Sequence, residues 1–236
     1  MINTTFDRAS LRLSATLLFV GQLLYVVVTL LHTGGEANHH SAIFAAYAAS
    51  GIWTAVHVAQ FACMAIMLAG LFGLFSATDV QAGAAKLLSR LGAASTTATL
   101  ALYGVVLAVD GVALKQAVDA WVDAPEAEKA ARFAAAEAMR WLEWGARSYE
   151  NFTLGLAVLL AAAVVLTAPI PRAIAYLLAL SGLTYLVQGW LAGVEGFSPT
   201  HTIAIVLAEV LNATWMTWLL VVAWRMPLPA RVSPRR

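Results

Sequence analysis

Charge is scarce in this chain. Asp, Glu, Lys and Arg make up 11% of its 236 residues, roughly half the share of a soluble domain. Set against a hydrophobic content of 61%, that scarcity excludes an ordinary soluble enzyme and points to a protein solvated by hydrocarbon. The net charge is only +1, so no nucleic acid is expected as a partner. Cysteine is nearly absent as well. Cys63 stands alone in an apolar run, which excludes an intrachain disulfide and leaves the redox compartment unread. Spacing-specific motifs are missing too: there is no HExxH, CxxC, GxSxG, P-loop or dinucleotide-binding glycine pattern. Any chemistry must therefore be assembled in space from residues far apart in sequence.

What the chain does have is six long apolar runs, at about 13–31, 52–76, 91–110, 146–167, 173–193 and 202–224. Each is close to the roughly 20 helical residues that cross a bilayer. None shows the period-two alternation of a membrane barrel strand, and only helices or closed barrels satisfy the backbone in lipid. The expectation is an all-α bundle of six transmembrane helices forming one integral membrane domain over 1–236. Arg8 and Arg12 precede the first run as in a signal peptide. The run is too long for a signal core and no A-x-A site follows, so it reads as a retained span.

Basic residues set the expected orientation. Arg8, Arg12, Lys86, Arg90, Arg172, Arg225, Arg231, Arg235 and Arg236 fall on one side, whereas only Asp7 and Asp79 of the acids do. Both termini are expected to be cytoplasmic, in a bacterial inner membrane. Connections 32–51, 111–145 and 194–201 then face outward, with Trp53, Trp121, Trp141, Trp144 and Trp190 as an aromatic belt. The long connection is Ala-rich and helix-forming, broken at Pro125. It predicts a helical hairpin over 111–145 that caps the outer face, its second arm running into the fourth span. Residues 41–49 predict a short interfacial helix ended by Ser50-Gly51.

Each span carries a polar stripe at helical spacing. The stripes are Gln22, Tyr25, Thr29 and His32; Trp53, His57, Gln60 and Met64; Thr96, Thr99, Tyr103 and Asp110; Glu137, Arg140, Trp144, Arg147 and Asn151; Ser181, Thr184, Gln188 and Glu195; His201, Glu209, Asn212 and Met216. Six such stripes avoid lipid only by converging on a shared interior, here a cavity open toward the outer face. Bridging between packed helices accounts for most uncharged members. Glu209 does not fit that account, because a carboxylate two turns inside a span must be protonated, paired with a cation such as Arg147, or wet.

All five histidines, His32, His39, His40, His57 and His201, fall on the outer side. Histidine ligates transition metals and works as an acid or base near neutral pH. Two or three of them with a carboxylate such as Glu195 would hold Zn, Cu or Fe, and a pair such as His57 with His201 or His32 would clamp a haem. Exposed loop histidines are the plainer reading of His39 and His40. Glu143, Arg147 and Glu209 are the candidate catalytic residues, with Glu143 and Arg147 also spaced as an ion pair. Arg140, Trp144, Asn151, Tyr103, Asp110 and Gln188 are candidate substrate contacts. The leading functional expectation is a metal- or haem-binding membrane enzyme, an oxidoreductase or hydrolase acting on a small or lipid-soluble substrate. A transporter or ligand-binding protein for a small polar solute is the alternative. A structural subunit of a membrane complex, or a homo-oligomer, is the third reading.

Overall fold

The computed structural model describes residues 6–78 and 83–227. Asp79, Arg231, Arg235 and Arg236, which enter the expected orientation, lie outside them. Helix α1 (Arg8–Thr29) starts at Asp7, whose carboxylate accepts from the Ala9 and Ser10 backbone N–H groups, satisfying two donors that the first turn leaves open. Short α2 (His40–Ala49) is followed by α3 (Trp53–Ala77), α4 (Gly83–Ala108), a π-helical turn (Val109–Leu114), α5 (Lys115–Val122), α6 (Glu126–Val165), α7 (Arg172–Glu195) and α8 (Pro199–Arg225). Pro125 and Pro171 sit just before α6 and α7, and Pro199 opens α8 behind the Ser198 cap. These are positions where a missing N–H costs nothing. No strand occurs among the described residues.

Six helical segments are long and apolar enough to cross a membrane, so the chain is an integral membrane protein with an all-α bundle. The third and fourth segments run far beyond the expected 91–110 and 146–167. Gly83–Val122 and Glu126–Val165 each span 40 residues, about 60 Å at 1.5 Å per residue. The cap is thus the continuation of two spans beyond the bilayer, with its turn at Asp123–Pro125. No glycine-proline break separates cap from span, so the helices simply continue.

Packing runs α1 on α3, α3 on α4, α4 on α6, α6 on α7, α7 on α8 and α8 back on α1, which closes a ring. At the end carrying both termini, Arg12 donates to the carbonyls of Ala223 (3.1 Å), Trp224 (3.2 Å) and Met226 (2.6 Å). This clasps α1 to the C-terminal end of α8, where open carbonyls need donors. Leu11, Leu18, Leu74, Phe75, Ile174 and Leu219 fill the ring here. Gly21 and Gly70 let α1 and α3 touch backbone to backbone. A Cβ at either would lie 2.6 Å from a main-chain nitrogen of the other helix. At the opposite, capped end, α2 lays Ile43, Phe44 and Tyr47 against Trp53, Leu114, Val118 and Ala136. Beneath that lid the ring is hollow.

Candidate metal centre and its cavity

The site begins with the π-helical turn. An extra residue in one helical turn rotates the side chains within it and frees carbonyls from the i→i−4 ladder. Both effects are visible here. Asp110 turns inward to 6% exposure. Its carbonyl accepts from the Trp53 indole N–H at 3.0 Å, and that of Gly111 accepts from the Thr54 hydroxyl at 2.9 Å. Gly111 makes the approach of α3 feasible, since a Cβ there would sit 2.6 Å from the Cβ of His57.

His57 Nε2 then faces Asp110 Oδ2 at 2.9 Å, and its Nδ1–H donates to the Trp53 carbonyl at 2.7 Å. His32, in the loop after α1, lies against it, with ring centroids 5.1 Å apart. The Nδ1–H of His32 donates to the Thr33 carbonyl at 3.0 Å. A carbonyl can only accept, so both imidazoles carry their Nδ1 proton on the backbone. That arrangement commonly fixes a metal-ligating histidine, leaving Nε2 for the ion. One ligand atom each from His32, His57 and Asp110 lies within 4.8 Å of the other two. Asp110 Oδ1 is buried with no hydrogen-bond partner among the described residues. A buried carboxylate oxygen normally has one. Gathering the three onto one ion at about 2.1 Å per bond requires inward adjustment of the His32 ring, which hangs from a loop.

Tyr47 and Trp53 wall this cluster, with ring centroids 4.0 Å apart, and Trp53 lies tilted against both histidines. Burial holds the His32 imidazolium below its ordinary pKa, against the pull of Asp110. Burial likewise pushes the Tyr47 phenol up to about 12, with Arg140 opposing. Arg140, 1% exposed, donates to the Tyr47 oxygen at 2.6 Å and to the Glu143 carboxylate. Its guanidinium lies under the rings of Phe44, Tyr47 and Phe197. Two turns further along α6, Arg147 approaches Glu150 at 3.5 Å without a hydrogen bond and covers the Tyr103 ring.

His32, Tyr47, Asp110, Arg140, Glu143, Arg147 and Glu150 line a cavity of about 570 Å³ that reaches from the cap to mid-bundle, with His57 behind Asp110 and outside that lining. His32, Tyr47, Asp110, Arg140, Glu143 and His201 stand at its capped end. Its deep end holds Gln22, which donates to Glu209, and Tyr185, which accepts from Asn212 at 2.6 Å. The loop after α1 is held over the cavity by Asn38, which donates to the Glu195 carbonyl (2.9 Å) and accepts from the Phe197 N–H (3.1 Å).

Of the histidines anticipated as ligands, the structure brings His32 and His57 together. His201 is buried in the same cavity at the start of α8, packed on Phe197, with its Nε2 unpartnered. His40 instead pairs with Glu137 at 2.8 Å and stacks on Phe44. His39 is exposed at the head of α2 and Glu195 is exposed at the end of α7, accepting from Ser198. Glu143, Arg147, Glu209, Arg140, Asn151, Asp110 and Gln188 all line the cavity, whereas Tyr103 and Trp144 do not. Tyr103 is buried beneath Arg147, and Trp144 packs in the cap between His40 and Phe197. The ion pairs take i,i+3 partners: Glu143 joins Arg140 and Arg147 joins Glu150, in place of the expected Glu143–Arg147 pair. Both spacings share a helix face, and this choice gives each buried carboxylate a cation. Trp53, expected in the interfacial belt, is 2% exposed and belongs to the site.

Sequence reasoning did not single out Tyr47, Trp53 or Tyr185 as site residues. Tyr47 sits in an apolar segment whose inner face only the packing of α2 reveals. The π-helical turn carries no periodicity signal, although a buried acid beside a glycine in a span was visible at Asp110-Gly111. No protein-family model matches the chain, and no curated protein or solved structure matches it either.

Proposed function

We propose that this protein is an intramembrane metalloenzyme whose His32, His57 and Asp110 hold one transition-metal ion and act on a small or lipid-soluble substrate in the cavity. One observation carries the reading: two backbone-anchored imidazoles converge with a carboxylate whose second oxygen is buried and unpartnered. Two histidines and one carboxylate leave coordination positions open, as catalytic Zn and non-haem Fe sites do. Zn bound there supplies Lewis acidity and a water ionised near neutral pH; Fe(II) supplies oxygen chemistry. Arg140 would orient a polar substrate oxygen, and Glu143 would accept or return a proton once its pairing with Arg140 loosens. The edge contact of the His32 and His57 rings leaves no slot for a macrocycle between them, so a single ion is favoured over haem.

Elemental analysis of the purified protein tests this directly. About one Zn, Fe or Cu per chain is expected, lost on dialysis against chelator and restored by the metal salt. A protein that stays metal-free after titration with Zn(II), Fe(II), Cu(II) and Co(II) would overturn it. The transport reading would then lead, since Glu150 and Glu209 give the deep cavity two carboxylates against the single cation Arg147.

The capped end is assigned to the periplasmic side of a bacterial inner membrane on the strength of the basic residues at the terminal end. A thiol placed at Glu36 or Ala124 should react with an impermeant reagent from outside; reaction only from the cytoplasmic side would reverse the assignment.

A further inference from the structure

The wall of the cavity is not equally thick all round. Between α1 and α8 the described bonds run from the terminal end no further than the middle of the bundle. They are the Arg12 clasp, the Trp224 indole N–H on Thr16 at 3.2 Å, and the Gln22–Glu209 bond at mid-depth. Toward the capped end, no hydrogen bond or ring contact joins the two elements among the described residues. Val26 and Leu30 on one side and Ile205 on the other each do two things there. They line the cavity, and they are 38%, 79% and 37% exposed, Val26 and Ile205 within membrane-crossing helices and Leu30 just past the end of one. A residue that faces both lipid and cavity marks a seam between them.

The walls change character along the same path. One strip of the wall, from the seam downward, is made of Val26, Ile205, Met64, Met67 and Leu154 and suits an alkyl chain, while polar groups of the deep wall face one another, Gln22 on Glu209 and Arg147 beside Glu150. Above them stand Arg140 and His201, each with a buried nitrogen that has no partner among the described residues, beside His32 and Asp110. An apolar strip at bilayer depth beneath a polar end at the interface follows the layering of one lipid leaflet. A soluble solute would leave that apolar strip unmatched. A lipid matches both ends, because its chains are already at the right depth and need no desolvation to move in sideways.

We infer that the cavity admits a phospholipid from the leaflet at the capped end, through the seam between α1 and α8. Its chain passes Val26 and Ile205, and its ester or phosphodiester oxygens come to rest at Arg140 and the His32/His57/Asp110 cluster. The inference deepens the proposed function by naming its substrate class, and rests on that reading only for what happens at the head group. Arg140 contributes its unpartnered Nε–H as a donor to the head-group oxygen, so head-group recognition is polar and chain recognition is not.

The test uses the full chain in nanodiscs of phosphatidylethanolamine and phosphatidylglycerol doped with phosphatidylglycerol bearing a diazirine on one acyl chain. After photolysis, adducts are mapped by mass spectrometry. Labelling is expected at Met64, Met67 and Leu154 inside the cavity as well as at annular Leu23 and Leu207. In a Val26→Trp/Ile205→Trp variant, which fills the seam from both sides, interior labelling should fall at least tenfold while annular labelling is unchanged. The annular adducts report that the variant is inserted and folded. Interior residues that stay unlabelled in the wild type, or label equally in the variant, would overturn the inference. Metal content measured on the same samples is a separate readout: interior labelling of a protein that binds no metal would keep the lipid route and remove the metal centre.

Discussion

His57 and Asp110 meet across two helices only because a π-helical turn displaces the aspartate toward α3. Nε2 and Oδ2 lie 2.9 Å apart while the Trp53 indole holds the Asp110 carbonyl from the same side. The contact joins residues 53 apart in sequence, and both are buried. Without an ion between them they form a buried pair whose desolvation cost opposes its own attraction. A cation shared with His32 would satisfy both and also the idle Asp110 oxygen.

His57→Ala removes one of three ligands and leaves α3 as apolar as before. Membrane insertion should be unchanged, and metal content should fall below about a tenth of the wild-type value, because even outer-shell partners of a ligand matter by about 10–100-fold. Elemental analysis in parallel with size-exclusion in detergent checks both parts. His39→Ala, at an exposed position, should retain full metal content.

Gly111→Ala keeps every ligand but places a methyl 2.6 Å from His57 Cβ. Overpacking of this kind costs about 1–3 kcal/mol, and the strain falls on the His57–Asp110 contact. Metal affinity should drop while the helical circular-dichroism signal persists. Unaltered affinity would show that the cluster tolerates displacement and is not a metal centre held to tight geometry.

Arg140→Met strands the Glu143 carboxylate in the cap. Breaking a buried pair from one side costs about 3–5 kcal/mol, whereas replacing both members by apolar residues is often neutral. The melting temperature should therefore fall sharply in Arg140→Met and recover in Arg140→Met/Glu143→Leu. The double variant should regain stability without regaining activity, since Tyr47 and the substrate have lost their donor.

Asp7→Ala tests the start of the first span. Its hydrogen bonds from the Ser10 hydroxyl and from the Ser10 and Ala9 backbone hold the carboxyl below its ordinary pKa. A depressed carboxylate stabilises the fold above its unfolded pKa of about 4, and that contribution disappears as pH falls through the lower folded value. The variant should be about 1 kcal/mol less stable near neutrality and indistinguishable from wild type once the pH lies below the folded pKa. Thermal unfolding of both proteins across that range measures it.

The six spans were legible because bilayer thickness imposes a length and lipid imposes apolarity, and both are properties of a run of residues. Convergence of the stripes was legible in the same way: Gln22, Gln60, Arg147, Gln188 and Glu209 each sit at helical spacing and do share one cavity. Partner choice was not legible. Arg147 had carboxylates at both i−4 and i+3, and nothing in spacing decides for Glu150. Nor does spacing show that His40 would be captured by Glu137, 97 residues away. Asp110 was legible as a buried acid, but its alliance with His57 depends on a backbone irregularity that local pattern does not encode.

The Arg140–Glu143 and Arg147–Glu150 ion pairs on α6 have a consequence for how the chain enters its membrane. Each arginine has its carboxylate three residues along the same helix, so neutralisation needs no other part of the protein. An isolated arginine or acid near a helix centre costs about 2.5–3.5 kcal/mol during translocon-mediated insertion. Glu126–Val165 can form its pairs as soon as it coils, without waiting for α7 and α8, which are synthesised after it. Biogenesis of the most polar span thus proceeds on local chemistry, and its charges reach the interior already partnered.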